Sequence, residues 1–297
     1  MVKPNIFLGR RKKYRILGLA ATVGGVVIAL TFIVKQVVDS TSYQEEAKEA
    51  AQLVPIDPGL NNLIEEWDKQ VQAELGAFIP TRFQGQTLKE VKLPSNEKVI
   101  ALTFDDGPWP KTTEQILKIL KQNNVKATFF LLGQPLQAYP HLGKLVVKDG
   151  HAVTNHTWNH WYRKMDSATA ASEIDKTAEL IYKTTGVKTS IFRPPGGILN
   201  NGVVDYAKKK KYFIALWSAD STDYNRVTAP TMVKKVLKEA QPGGMVLMHD
   251  GGGDRTHTVK ALPQIIKELK KRGYKFVTVP ELLEMQDKEL NAKKTAE

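Results

Sequence analysis

The sequence of 297 residues contains no cysteine. This absence excludes disulfide bonds, a thiol nucleophile and thiolate metal ligands, so any metal ion would be bound by nitrogen and oxygen atoms. Aromatic residues are few, at 8% of the chain, and the 31 acidic residues are outnumbered by 43 basic ones. Hydrophobic residues at 42% and charged residues at 25% are ordinary values for a globular domain and exclude a disordered chain or a multi-span membrane protein.

Long apolar runs are scarce, with one exception at residues 16–34, which carry no charged side chain. A helix of this length just crosses a hydrocarbon core of about 30 Å. A cleaved signal peptide would need a shorter apolar region and a small-residue exit site, so a retained anchor is favoured. Basic residues cluster before the run: Lys3, Arg10, Arg11, Lys12, Lys13 and Arg15.

Because positive charge marks the cytoplasmic side, we predict a single-pass protein of the plasma membrane. Residues 1–15 form a basic cytoplasmic tail, residues 16–35 a transmembrane signal anchor, and everything after them lies outside the cytoplasm. The basic cluster beside a membrane span, without a base-stacking motif, argues against nucleic-acid binding.

The exported part divides into a stalk and a larger domain. We predict a juxtamembrane helical stalk over residues 36–95, with Pro55 and Pro58 separating two segments. From residue 98 onward, short apolar runs alternate with helical patterns, which predicts repeated βα units around a parallel sheet or barrel. We assign residues 96–286 to this α/β domain and residues 287–297 to a charged tail.

Polar residues follow the predicted strands directly. In a βα barrel the ends of successive strands converge on one face, where active sites form, so these side chains are expected to share one cleft. The residues are Asp105 and Asp106, His156, Arg193, Asp220 with Asp223, and His249.

This set contains the donors of a catalytic metal site. His156 and His160 are four residues apart, so a helical turn between them would direct both imidazoles to one cation. Of the adjacent Asp105 and Asp106, one carboxylate can bind the metal while the other stays free as a base. Two histidines, one aspartate and a water would complete a zinc-type site with an open position.

Two further residues have both a structural and a catalytic interpretation. Arg193, stiffened by two prolines, either forms a surface ion pair or keeps the spare carboxylate ionised. His249, which precedes three glycines, is either structural or, beside Asp223, a protonated donor to a leaving group.

The motifs that carry these residues resemble those of the carbohydrate-esterase family four, or NodB-like, polysaccharide deacetylases. Five motifs occur in the family's order over about residues 98–284: TFDDGP at 103–108, HTWNH at 156–160, RPPGG at 193–197, DSTDY at 220–224 and LMHD at 247–250. A full set in order is far more specific than any single motif.

The resemblance implies a role for each matched residue. Asp105 would be the catalytic base, oriented by Arg193. His249 would be the catalytic acid, tuned by Asp223. The implied metal ligands are Asp106, His156 and His160, and Leu247 would border the acetyl pocket.

Two motifs depart from the family pattern. The fourth motif usually ends in tryptophan and here ends in Tyr224. The third has Gly196 where many relatives carry tyrosine, so less side chain is expected beside the substrate. The backbone N–H beyond Pro195 would still serve as an oxyanion donor.

The resemblance also implies a fold and an activity. The fold would be a distorted (β/α)7–8 barrel, and the activity metal-dependent hydrolysis of N-acetyl groups on amino sugars. A membrane-anchored enzyme held against the cell wall suggests peptidoglycan as the polysaccharide. The expected metal is zinc, with cobalt, nickel and manganese as alternatives. Competing interpretations are a deacetylase of O-acetylated xylan or chitooligosaccharides and a non-catalytic glycan-binding wall protein.

Overall fold

We analysed a computed structural model of the chain, which describes residues 79–95, 97–225 and 227–296. The predicted cytoplasmic tail, the anchor at residues 16–35 and most of the predicted stalk lie outside these ranges. Among the described residues, no helix combines the length and apolar character needed to span a bilayer.

The centre of the fold is a curled sheet of parallel strands. Its strands are β1 (Thr87–Leu88), β2 (Val99–Asp105), β3 (Thr128–Leu131), β4 (Ala152–Asn155), β5 (Ile191–Phe192), β6 (Phe213–Ala215), β7 (Ala219–Asp220), β8 (Gly244–His249) and β9 (Lys275–Phe276). Their order is β1-β6-β5-β4-β3-β2-β8-β7, and β9 pairs with the start of β2. All of these pairings are parallel.

Helices connect most of the strands. They are α1 (Thr112–Gln122), α2 (Gly133–Ala138), α3 (Pro140–Lys148), α4 (Ser167–Thr185), α5 (Val203–Lys209), α6 (Ala229–Glu239), α7 (Thr256–Lys271) and α8 (Val279–Ala296). The described part of the chain is therefore a curled α/β half-barrel, which confirms the predicted βα alternation and is consistent with the expected barrel.

Side chains of each strand alternate between two apolar layers because successive residues point to opposite faces of a sheet. In β2, which is buried along its whole length, Ile100, Leu102 and Phe104 pack against the surrounding helices. Val99 and Ala101 face the concave side and pack with Leu282 and Leu283 of α8. The concave side therefore has its own core, and α8 contributes to it.

Parallel pairing determines where the polar residues lie. Asp105 ends β2 and His249 ends β8, and the register aligns these two residues as neighbours. Asn155 ends β4 and pairs with Phe192 of β5, so His156 and Arg193 follow at the same edge. The edge formed by the strand ends therefore brings together residues from four strands.

The limits of the domain differ from the expected ones at both ends. Residues 79–95, which the sequence analysis assigned to the stalk, include β1, and Phe83 and Val91 are buried in the concave core. Residues 287–296, expected as a charged tail, continue α8.

Candidate active site

The two adjacent carboxylates at the end of β2 occupy different environments. Asp105 is 2% exposed, and its Oδ1 atom accepts a hydrogen bond of 2.7 Å from Arg193 Nη1. Asp106 has a φ of 73°, a left-handed conformation that is uncommon for a residue with a side chain. Its Oδ1 atom is buried and has no hydrogen-bond partner among the described residues. Buried polar atoms are rarely left without a partner, so this oxygen suggests a missing ligand.

Two histidines converge on that oxygen. His156 Nε2 lies 3.5 Å and His160 Nε2 lies 3.2 Å from Asp106 Oδ1. The three potential ligand atoms all lie within 4.8 Å of one another. Two imidazole nitrogens and one carboxylate oxygen are the donor set of many catalytic zinc sites, so the residues fit a divalent transition metal.

Both imidazoles are prepared to act as ligands. His156 Nδ1 donates a hydrogen bond of 2.7 Å to the carbonyl of Arg193, which selects the tautomer whose Nε2 lone pair faces Asp106. Burial, and next the neighbouring His156, lower the pKa of His160 to about 4. His160 is therefore neutral at ordinary pH, the form that binds a metal ion.

The loop between these histidines is not the helical turn that we expected. Thr157 and His160 have positive φ values of 74° and 59°, and the segment contains no helix. Asn155 Oδ1 accepts a hydrogen bond from Thr157 N at 2.9 Å, and Thr157 Oγ1 accepts one from His160 N at 3.1 Å. An irregular loop fixed by its own side chains, rather than helical spacing, brings the two ligands together.

Glu173 of α4 stabilises the same loop from behind. This residue is 2% exposed, and its Oε2 atom accepts hydrogen bonds from Trp158 N at 3.0 Å and Asn159 N at 2.8 Å. Its other oxygen accepts a hydrogen bond from the Asn159 side chain. The loop therefore depends on a buried carboxylate 13 residues beyond His160, for which the sequence provides no motif.

Arg193 is fully buried and links β2, β5 and β6. In addition to Asp105, its guanidinium donates hydrogen bonds to Thr103 Oγ1 and to the carbonyls of Ala215 and Leu216. It also stacks on the Phe130 ring at 3.9 Å. A surface ion pair is thus excluded for Arg193, and the buried charge is compensated by Asp105 and four hydrogen bonds in total.

A second acid–base pair lies at the end of β8. Asp223 Oδ1 accepts a hydrogen bond of 2.7 Å from His249 Nδ1, and its Oδ2 atom accepts hydrogen bonds of 2.8 Å from His249 N and Thr258 Oγ1. Burial alone would lower the pKa of His249, but the hydrogen bond and charge of Asp223 outweigh it and raise the pKa above its ordinary value. This shift favours the protonated form of His249, which lines the cavity.

The glycines after His249 allow the chain to pass close to Asp106. A Cβ atom on Gly251 would lie 2.3 Å from the Asp106 carbonyl oxygen. Gly252 has a φ of 71°, and a Cβ atom there would lie 2.6 Å from Asp106 Oδ2. The absence of side chains in this loop therefore makes room for the metal-ligand candidate Asp106.

One cavity of about 640 Å³ connects these groups. It is lined by Asp105, Asp106, His156, His160, Gly196, Tyr224, Leu247 and His249 among the predicted site residues. Arg193 and Asp223 lie behind its wall, each hydrogen-bonded to a lining residue. Pro195, expected to border the substrate, is buried and does not line the cavity.

The expected open space beside Gly196 is filled. The ring of Tyr162 lies over Gly196, so close that a Cβ atom there would approach Tyr162 Cε1 to 2.8 Å. The same ring contacts His160 edge-on, with centroids 5.1 Å apart. Across the cavity, Tyr224 packs against His249 and donates a hydrogen bond of 2.9 Å to Asp220. Tyr162 therefore borders the metal-ligand candidates, and Tyr224 borders the pair formed by Asp223 and His249.

Comparison with known proteins agrees with this geometry. Residues 92–215 match the family model described as polysaccharide deacetylase. A peptidoglycan-N-acetylglucosamine deacetylase of Bacillus cereus is 44% identical over 194 residues, which cover 65% of this chain and 91% of that protein. The chain belongs to the polysaccharide deacetylase family. This polysaccharide deacetylase is therefore a hydrolase, and the family is metal-dependent.

Two further comparisons extend the relationship. The deacetylase is 39% identical over 199 residues to the peptidoglycan-N-acetylmuramic acid deacetylase PdaC of Bacillus subtilis, covering 67% of this chain and 41% of that one. A crystal structure of a peptidoglycan N-acetylglucosamine deacetylase in complex with 4-naphthalen-1-yl-N-oxidanyl-benzamide superposes with a TM-score of 0.63 and 35% identity. That alignment covers 68% of this chain and 94% of the other.

The structure adds residues to the site that sequence reasoning missed. Tyr162, Trp217 and Arg255 line the cavity of the deacetylase, and Arg255 Nε donates a hydrogen bond to the Gly251 carbonyl at 2.7 Å. Tyr162 could have been predicted from the sequence, because it lies two residues after the ligand candidate His160. Trp217 and Glu173 carry no signal, because only the folded chain brings them to the site.

Proposed function

We propose that this polysaccharide deacetylase removes N-acetyl groups from the amino sugars of peptidoglycan, releasing acetate and leaving a free amine. The observation that carries the proposal is the single cavity in which a three-residue metal site lies between Asp105 and His249. The substrate class is supported by the relatives, which are named as deacetylases of N-acetylglucosamine or N-acetylmuramic acid in peptidoglycan.

Asp106, His156 and His160 are the residues that would hold a divalent cation, and zinc fits their donor atoms best. When bound, such an ion supplies Lewis acidity to the acetamide carbonyl and lowers the pKa of a nearby water. Asp105 then accepts a proton from the attacking water, while the hydrogen bond from Arg193 orients its carboxylate.

The remaining steps use Gly196, His249 and Leu247, which also line the cavity. Gly196 lines the cavity, and its backbone N–H would be the donor that stabilises the developing oxyanion. His249 donates its proton to the departing amine, and Asp223 keeps His249 protonated until that step. Leu247, which is 3% exposed and lines the cavity, offers an apolar contact for the acetyl methyl group.

Purified peptidoglycan provides the direct test. The enzyme should release acetate and generate free amino groups on the glycan, and a chelator should abolish both products. Comparison with O-acetylated xylan and with chitooligosaccharides separates the alternative substrates. Faster release from either of these than from peptidoglycan would reject the proposed substrate.

We also propose that residues 16–35 anchor the enzyme in the plasma membrane with its catalytic domain outside the cytoplasm. The charge asymmetry around this apolar segment supports the orientation. Membrane fractionation with protease treatment of intact cells tests it. A domain that stays protected in intact cells, or full-length protein recovered in the soluble fraction, would reject the anchor.

A further inference from the structure

The edge of the sheet opposite the cavity carries an unusual concentration of positive charge. Because all strand pairings in the sheet are parallel, the connections that lead from a helix into the next strand lie together at that edge. Contacts between them confirm the proximity: Lys270 Nζ donates to the carbonyl of Asn123 at 2.5 Å, and Arg272 donates to the carbonyl of Leu237.

We call this surface the basic rim and define it as the last turn of six helices with the connection that follows each. Its segments are residues 119–127, 145–151, 182–190, 206–212, 236–243 and 268–274. They contain thirteen basic residues, all exposed: Lys121, Lys126, Lys148, Lys183, Lys188, Lys208, Lys209, Lys210, Lys211, Lys238, Lys270, Lys271 and Arg272. The same segments contain three acidic residues, Asp149, Glu239 and Glu268. Two of the lysines also pair with carboxylates just outside the segments: Lys183 with Glu179 at 2.6 Å and Lys210 with Asp175 at 3.6 Å.

The opposite edge of the same sheet is electrically balanced. The described connections that lead from a strand into a helix contain five basic and five acidic residues. These are Lys111, Arg163, Lys164, Arg193 and Arg255 against Asp106, Asp166, Asp223, Asp250 and Asp254. The excess positive charge of the domain is thus strongly polarised toward the rim.

Helix dipoles explain only part of this charge. A lysine in the last turn interacts favourably with the negative end of its helix, so about one per helix is expected. Lys126, Lys188, Lys210, Lys211 and Arg272 lie beyond the helix ends, in the connections themselves. Their density exceeds what helix stability requires and indicates a surface that attracts a negatively charged partner.

Helix α8 also begins at this edge, because Val279 N donates to Thr128 Oγ1 at the start of β3. Two of its acidic residues are engaged inside the domain: Asp287 pairs with Arg82 at 2.5 Å, and Glu289 accepts hydrogen bonds from Ser95. These carboxylates are not available to neutralise the surrounding lysines of the rim.

We propose that the basic rim docks the catalytic domain on a bilayer containing anionic lipids, with the cavity facing away from the membrane. The charge is spread over six connections around the sheet instead of lining a groove, which suits a planar array of headgroups better than a single polymer chain. The exposed ring of Tyr182, with Lys188 Nζ 5.3 Å above it, adds an aromatic group of the kind found at membrane surfaces. Docking in this orientation turns the active site toward the polysaccharide.

The test uses residues 64–297, which form one compact unit and do not include the apolar segment at residues 16–34. Binding of this fragment to vesicles measures the contribution of the basic rim separately from that of the proposed anchor. In the solved relative, a chain of about the extent of this domain forms the crystal structure, because the alignment covers 94% of that chain and 68% of this one. We expect co-sedimentation with vesicles of phosphatidylglycerol and phosphatidylcholine, weakening as salt is added, and none with phosphatidylcholine alone.

Two variants with the same change in net charge locate the binding surface. Replacing Lys188, Lys208, Lys209 and Lys211 by Gln should lower the partition coefficient at least about tenfold. Replacing Lys144, Lys164, Lys234 and Lys260, which are exposed outside the rim, should have a much smaller effect. Without vesicles, both variants should release acetate as fast as the unchanged domain from whichever glycan that domain deacetylates, which shows that the active site is intact.

Three results would overturn the proposal. The first is equal binding to anionic and neutral vesicles, and the second is an equal loss of binding in both variants. The third is binding to a soluble polyphosphate but not to vesicles, which would identify an anionic polymer as the partner. None of these results depends on which polysaccharide the enzyme deacetylates, so they leave the proposed function unaffected.

Discussion

At the scale of single residues, Asp105 has both a proposed catalytic function and a structural one. It faces the cavity as the proposed base, and it also compensates the buried charge of Arg193. Asp105→Asn should therefore lower kcat at least 10²-fold, the ordinary contribution of a general base, and should also destabilise the fold by about 3 kcal/mol because Arg193 loses its counter-charge.

Acetate release and thermal unfolding measure the two effects of Asp105→Asn separately. Bound metal should stay stoichiometric, because Asp106 and the two histidines remain in place. Wild-type turnover in this variant would remove Asp105 from the role of base, even if its stability fell as expected.

The pair formed by Asp223 and His249 predicts a pH effect. In Asp223→Asn the negative charge that raises the pKa of His249 is lost, so this pKa should fall. His249 acts in its protonated form, and activity is lost as the pH rises through its pKa. The alkaline limb of the kcat/KM profile should therefore move to lower pH by about one unit or more. An alkaline limb at the wild-type position would show that another group is the proton donor.

Tyr162 predicts an effect on substrate binding. Its ring is 58% exposed and forms the cavity wall beside His160 and Gly196. Tyr162→Ala should raise KM about tenfold with a smaller change in kcat, because an aromatic contact with the sugar is lost. Tyr162→Phe should behave like the wild type.

Tyr182→Ala is the matched control for Tyr162→Ala, since Tyr182 is also exposed but lies at the opposite edge of the sheet. A KM unchanged in Tyr162→Ala, or raised equally in the control, would exclude Tyr162 from the binding surface.

At the scale of secondary-structure elements, α4 serves the metal site although it contributes no ligand. Glu173 accepts hydrogen bonds from two backbone N–H groups of the loop that joins His156 to His160. Glu173→Gln turns one of the two acceptor oxygens into an amide donor and removes the negative charge that strengthens the remaining hydrogen bonds, so the loop should loosen. Zinc affinity should fall about 10-fold to 100-fold, the usual effect of losing a supporting contact.

Metal competition with a chromophoric chelator measures the affinity of Glu173→Gln directly. Glu179→Gln provides the control, because Glu179 is exposed on the same helix and, within the described part of the chain, forms an ion pair with Lys183 alone. Equal affinities in the two variants would show that the loop does not depend on Glu173.

At the scale of the whole molecule, the ligand candidates come from two separate β–α connections and should therefore couple metal binding to global stability. A ligand present at about 100 times its Kd stabilises the native state by about 2.7 kcal/mol. For a domain of this size, added zinc should raise Tm by about 5 to 10 °C.

The metal response should disappear in His160→Ala and persist in His141→Ala, where the histidine is exposed and distant in sequence from the ligands. Differential scanning calorimetry with and without zinc provides the comparison. An equal shift in both variants would place the zinc site elsewhere.

The sequence by itself determined the class of fold and most of the site. Alternating apolar runs and helical patterns specify parallel strands, and parallel strands must end at one edge, so Asp105, His156, Arg193 and His249 were expected to meet there. The spacing of His156 and His160 predicted that they share a cation, and the family resemblance named Asp106 as the third ligand; the structure brings these three residues together.

Only the tertiary structure decided how these residues are held in place. The loop geometry at Thr157 and His160, the support from Glu173 and the cover of Tyr162 over Gly196 depend on contacts between segments that local patterns do not relate. The basic rim is likewise invisible in the sequence, where its lysines are spread over about 150 residues. The physical reason is that periodicity records which face of an element is buried, whereas irregular loops and surface charge distributions arise only when the elements pack together.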